Sequence, residues 1–128
     1  MRTILAAVLS LATAVVACST GGGTIVRRGD GLEAQRLPPE VQGDYALFAQ
    51  RCSKCHTLAK PLNTDVDDDA WVAYVARMRR MPGSGISPND AQGILRFLHF
   101  YSAAQRRAKA ERTTDAGPPA DDAGRGTP

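Results

Sequence analysis

Residues 52–56 read Cys-Ser-Lys-Cys-His, and they end a stretch in which Val41, Tyr45, Phe48 and Cys52 recur at i, i+4, i+7 and i+11. That interval places the four side chains on one face of a helix. The spacing predicts a helix from about Glu40 to Lys54, with two thiols and an imidazole gathered at its C-terminal end. Downstream, Asp67, Asp68 and Asp69 occupy a cap and first turn, where the positive end of a helix dipole favours them. Trp71, Val75 and Met78 follow at i, i+4 and i+7, Arg77, Arg79 and Arg80 crowd the last turn, and Met81-Pro82-Gly83 stops this second helix. A third begins at Ser87-Pro88-Asn89-Asp90, where Ser caps, Pro takes the first helical position and Asp completes a variant capping box. Ile94, Phe97, Leu98 and Tyr101 form its apolar stripe, and it is expected to fray beyond Ser102, where the chain turns polar. The chain shows no strand-like alternation and no internal repeat, so the fold class expected is all-α, with about three helices.

The chain has 128 residues, but both ends read as lying outside the fold. Arg2 precedes a run, Ile4 to Val16, that is too short to span a bilayer comfortably and matches the apolar region of an export signal. From Ser19 to Pro39 the chain is Gly-rich and polar without periodicity, a flexible tether with a typical reach on the order of 25 Å. Thr113 to Pro128 lacks large apolar residues and is expected to be disordered. The expected organisation is therefore a signal peptide over 1–17, a tether over 18–39, one domain over 40–112 and a tail over 113–128. A folded core of roughly 75 residues is too small for a large α/β enzyme or a barrel, and usually needs a disulfide, metal or cofactor. With aromatic residues at 5% the core is expected to be thin without one. Sixteen Lys and Arg against thirteen Asp and Glu give a net charge of only +3. No dense basic stretch is interleaved with aromatics, so no nucleic-acid partner is expected.

The chemistry concentrates in Cys52, Cys55 and His56. Two thiols three residues apart at a helix end can add to the two vinyl groups of haem as thioethers, and the adjacent imidazole then serves as proximal ligand to iron. A zinc site would need four ligands, and only His99 is left to join these three, without a second Cys pair. A thioredoxin-like redox pair would need a βαβ context, which is missing. A bare Cys52–Cys55 disulfide would leave the thin core unexplained. On these residues the stretch from about 40 to 105 resembles a small class I c-type cytochrome carrying one haem c. The resemblance implies a fold of helices wrapped around the haem and a methionine as distal ligand. Trp71, Val75 and Arg77-Met78 resemble the family's stretch leading to that methionine, which makes Met78 the expected ligand and Met81, in the turn before Pro82, the alternative. His99 is one residue off the apolar stripe of its helix and is read as rim or surface. The family also fixes the proximal imidazole through a proline carbonyl, for which Pro61 is the candidate.

At the N-terminus, Val15-Val16-Ala17-Cys18 resembles the lipobox of bacterial lipoproteins, in which the Cys becomes the acylated first residue of the mature chain. Two or more acyl chains anchor stably where one is marginal. The resemblance implies a membrane-anchored protein on the periplasmic side, with Ser19 after Cys18 favouring the outer membrane. Together the readings imply an electron carrier, not an enzyme, that exchanges electrons with a redox partner protein. Arg77, Arg79 and Arg80 are candidates for docking an acidic one. Two alternatives stay open: a haem sensor or gas-binding domain with an open distal site, and a haem-free zinc or disulfide lipoprotein.

Overall fold

The structure, a computed structural model, describes residues 25–115. The expected signal peptide, Cys18, the first part of the tether and residues 116–128 lie outside the described residues. The chain runs through a two-stranded hairpin, β1 (Arg27–Arg28) and β2 (Gly31–Leu32), and a 3-10 turn, Ala34–Arg36. Four helices follow: α1 (Pro39–Cys52), α2 (Ala59–Leu62), α3 (Asp68–Arg79) and α4 (Pro88–Asp115). The mostly helical architecture agrees with the all-α expectation. Among the described residues no helix is long and apolar enough to cross a membrane.

The core is built where α1 and α3 pack on α4. Phe48 of α1 and Phe97 of α4 meet at 4.7 Å between ring centroids, and Tyr45 joins Phe97 at 5.1 Å. Trp71 of α3 is fully buried, and its indole N–H donates to the Ser102 hydroxyl on α4 at 2.7 Å. Close approach of α1 and α4 is possible because position 93 is Gly, where a Cβ would lie 2.8 Å from Leu47 Cδ2 and 3.0 Å from Asp44 Oδ1. At the rim of this crossing Arg96 grips Asp44 through two bonds of 2.8 and 2.7 Å. Phe48, Trp71, Ile94, Phe97, Leu98 and Tyr101 are all under 3% exposed, so the chain's own side chains fill the centre.

The caps that start two helices follow the sequence closely. Asp67 accepts from Ala70 N at 2.7 Å to begin α3. Ser87 and Asp90 exchange reciprocal bonds of 3.0 Å to begin α4. Three expectations need correction. The part of the tether from Ile25 to Pro38 is folded: Gly29, at φ 60°, opens a two-residue turn between β1 and β2, and Leu32 and Leu37 bury themselves in the core. Secondly, α4 does not fray at Ser102 but continues to Asp115. Its last stretch holds no helix breaker and is rich in Ala and Arg. Arg106 and Lys109 also reach Asp68 and Asp65 at 3.4 and 3.8 Å. Thirdly, α1 stops at Cys52, two residues short of Lys54, and the short helix α2 follows the motif.

Candidate functional site

Cys52 is the last residue of α1, and Ser53, Lys54 and Cys55 form the turn that leaves it. The helical face that buries Val41, Tyr45 and Phe48 carries Cys52 onto the edge of the core, half-buried, while Cys55 is exposed. Both are free thiols. Burial pushes the Cys52 thiol up from 9.0 to about 11, because the apolar surroundings disfavour the thiolate. Among the described residues, no three His, Cys, Asp or Glu side chains converge as a metal-binding group.

His56 is half-buried, and its Nδ1 lies 2.9 Å from the carbonyl oxygen of Thr57. A carbonyl can only accept, so this contact places a ring hydrogen on Nδ1; in the neutral ring the lone pair is then on Nε2. The expected role of the Pro61 carbonyl is corrected here. Pro61 lies in α2, where its oxygen accepts from Thr64 N at 3.1 Å, and the adjacent Thr57 carbonyl holds the imidazole instead.

The C-terminal half of α3 and the turn after it border the motif. Tyr74 lies within electrostatic reach of Cys52. Burial first, and then a Cys52 thiolate, raise the Tyr74 hydroxyl above its ordinary value, against the pull of Arg77, whose guanidinium stands 5.4 Å from the Tyr74 ring. At Gly85, with φ 60°, a Cβ would come 3.2 Å from Lys54 Nζ and 3.9 Å from an Arg51 terminal nitrogen. The turn is thus pressed against the basic side chains flanking Cys52. Arg51 also pairs with Asp90 at 3.0 Å and so ties the motif's helix to the start of α4. Met78 follows Tyr74 by one helical turn. It is half-buried, while Trp71 and Val75 on its face are buried. Met81, the alternative, is 51% exposed. Arg77, Arg79 and Arg80 are exposed at this end of α3.

The donor types present, two free thiols and an imidazole in the motif and a thioether on α3, are those that a covalently attached haem would use. His99 sits at the rim of the core, within the rim-or-surface expectation. It is half-buried on α4, with Nε2 shielded from solvent and without a hydrogen-bond partner. An open cleft of about 660 Å³ runs from Leu62 to Asp65 and along α4 from Tyr101 to Thr113. It includes none of Cys52, Cys55, His56 or Met78. Its buried hydroxyls are already engaged, Tyr101 with the Leu62 carbonyl at 2.9 Å and Ser102 with Trp71 at 2.7 Å.

Two contributors to the site were not read from the sequence. Thr57 acts through its backbone, which no residue pattern marks. Asp30 accepts from Leu58 N at 3.0 Å, and the only signal for it was the turn sequence Arg28-Gly29-Asp30-Gly31. Comparison with protein-family models, with curated proteins and with solved structures finds no match to this chain.

Proposed function

We propose that this chain is a one-electron carrier, a c-type cytochrome with a single haem held covalently through Cys52 and Cys55 and ligated by His56 and Met78. The observation that carries the reading is the placement of Cys-x-x-Cys-His at the end of α1, beside α3, with the His56 Nδ1–H committed to Thr57 and Nε2 left free. Held by the His56 nitrogen and the Met78 sulfur, a haem would supply outer-sphere one-electron transfer. The chain's own residues do the rest. Thr57 fixes the tautomer and the direction of the imidazole. Phe48, Trp71 and Phe97 lock α1, α3 and α4 together and keep water from the inner side of the motif. Arg77, Arg79 and Arg80 offer a positive surface to an acidic redox partner protein. A lipid on Cys18 would hold the domain at the periplasmic face of a membrane. From residue 18 to Ile25 is seven residues, at most about 25 Å of extended chain. For the anchored domain, the fully extended length of that stretch about equals the typical, not the maximal, reach of a free twenty-residue tether.

Expression with haem-attachment machinery, followed by intact mass and a pyridine haemochrome spectrum, tests the reading. One covalent haem together with an acylated N-terminus at Cys18 supports it. A chain with unmodified Cys52 and Cys55 refutes it in favour of a zinc or disulfide lipoprotein. If haem attaches, rapid binding of carbon monoxide by the reduced protein would refute Met78 ligation and indicate a sensor or gas-binding domain with an open distal site.

A further inference from the structure

We propose that Asp30 is a positioning residue for His56, acting through the peptide group that joins Thr57 to Leu58. The two hydrogen bonds involved belong to opposite ends of one amide. Its carbonyl, the Thr57 oxygen, accepts from His56 Nδ1 at 2.9 Å, and its N–H, that of Leu58, donates to Asp30 Oδ2 at 3.0 Å. A carboxylate acceptor makes the stronger kind of hydrogen bond. Bonds in series polarise one another, so the carboxylate strengthens the Thr57 carbonyl as an acceptor and, through it, the electron density of the imidazole. The order is carboxylate, amide, imidazole, with neither Asp30 nor His56 touching the other.

The hairpin that carries Asp30 is fixed to the site independently. The Tyr45 hydroxyl accepts from Leu32 N at 2.6 Å and donates to Leu32 O at 3.0 Å. Arg27 donates to the Leu62 carbonyl at 2.9 Å and to Asn63 Oδ1 at 2.6 Å. Gly31 permits the closeness, since a Cβ there would lie 3.2 Å from Leu58 Cδ1 and 2.7 Å from the Tyr45 hydroxyl. The segment from Arg27 to Leu32 is thus built against the loop that follows His56, and Asp30 reaches that loop at the one amide that also orients the imidazole.

The inference deepens the proposed function and rests on it for the electronic consequence, but its hydrogen-bond content can be measured without haem. The experiment compares the full chain with D30N, D30A and E33Q, reading His56 Nδ1–H solvent exchange by nuclear magnetic resonance and, in the haem-loaded protein, the reduction potential. Glu33 supplies a control of equal charge on the same segment, without a bond to the amide. D30A should accelerate Nδ1–H exchange on the order of tenfold and raise the potential. D30N, which keeps a neutral acceptor, should lie between D30A and the parent, and E33Q should match the parent in both readouts. Exchange unchanged in D30A, or in D30N should D30A not fold, overturns the proposal. So does a potential that E33Q moves as far as D30N, since a bare charge effect would then account for it. A chain that takes up no haem refutes the proposed function, while the exchange measurement still decides whether Asp30 positions His56.

Discussion

The two thiols of the motif should differ in reactivity, and the difference can be worked from their surroundings. Cys52 sits at the edge of the core with its pKa pushed from 9.0 to about 11, whereas Cys55 is exposed. At pH 8, two units of pKa lower the thiolate fraction about a hundredfold. Each thiolate becomes more nucleophilic as its pKa rises, with a Brønsted coefficient of about 0.4–0.5, which returns a factor of roughly six to ten. Attack of Cys52 on a small aromatic disulfide should therefore be about ten- to fifteen-fold slower in the folded, haem-free chain than in the same chain in urea, before any steric shielding is added. Quenched time points and peptide mass spectrometry would resolve Cys52 from Cys55. The folded Cys52 rate should go on rising with pH towards 11, while the urea reference levels off near 9. Equal Cys52 rates in the two states, or a plateau near pH 9 in both, would refute the assignment of Cys52 to a desolvated edge of the core. The same shift has a stability consequence of definite sign. The folded chain holds this proton more tightly, so the contribution is fully present below pH 9.0 and is lost as pH rises through about 11.

Three further outcomes follow from contacts on α1, α3 and α4. Ser102→Ala leaves the buried Trp71 indole N–H unpaired and should cost about 1–3 kcal/mol, seen as a lower urea midpoint with an unchanged slope; parent-like stability would show that the 2.7 Å bond carries no net weight. Tyr45→Phe removes the hydroxyl that serves both Leu32 N–H and Leu32 C=O and should likewise cost about 1–3 kcal/mol. Hydrogen exchange of the Leu32 amide should accelerate in that variant, and continued protection would refute the docking of the hairpin through this bond. Replacing Arg77, Arg79 and Arg80 together by Gln should slow electron exchange with an acidic partner protein and flatten its dependence on ionic strength; stopped-flow kinetics identical to the parent's would eliminate these residues as a docking surface.

What could be read along the chain was what local physics dictates. Asp67, Ser87 and Asp90 satisfy backbone groups within three residues of themselves, so the starts of α3 and α4 were legible from residue type alone. The stripe Val41, Tyr45, Phe48 and the stripe Ile94, Phe97, Leu98, Tyr101 gave the two faces that meet in the core. Other features depend on distant residues. The polar end of α4 has no apolar stripe to mark it, yet it is built of helix-forming residues and makes ion pairs with Asp65 and Asp68, more than thirty positions away. Similarly, Leu32 and Leu37 stood as isolated apolar residues in a Gly-rich stretch, and no periodicity marked them as core. Leu32 is held in place by the Tyr45 hydroxyl, whose two bonds to it are invisible until α1 and the hairpin are placed together.

The candidate site divides along the same line. Its reactive groups were legible because thiols, imidazole and thioether are side chains with distinctive chemistry at telling intervals. Its support was not, because it is a backbone amide held by a carboxylate from a distant segment. The bond expected from the Pro61 carbonyl is made by the adjacent Thr57, and that amide is held from behind by a residue assigned to the tether. A segment that ends in Asp30 and Arg27 contacts on the loop after His56 cannot be only a spacer. Displacing the hairpin must disturb the Thr57–Leu58 amide, since Asp30 cannot move with β1 and β2 and keep a 3.0 Å bond to Leu58. A load carried by the chain N-terminal to Ile25 would therefore be borne at Leu32 by Tyr45 and at Leu62 by Arg27 before it reached His56. In this arrangement the stretch joining the domain to its proposed anchor also holds the imidazole in register.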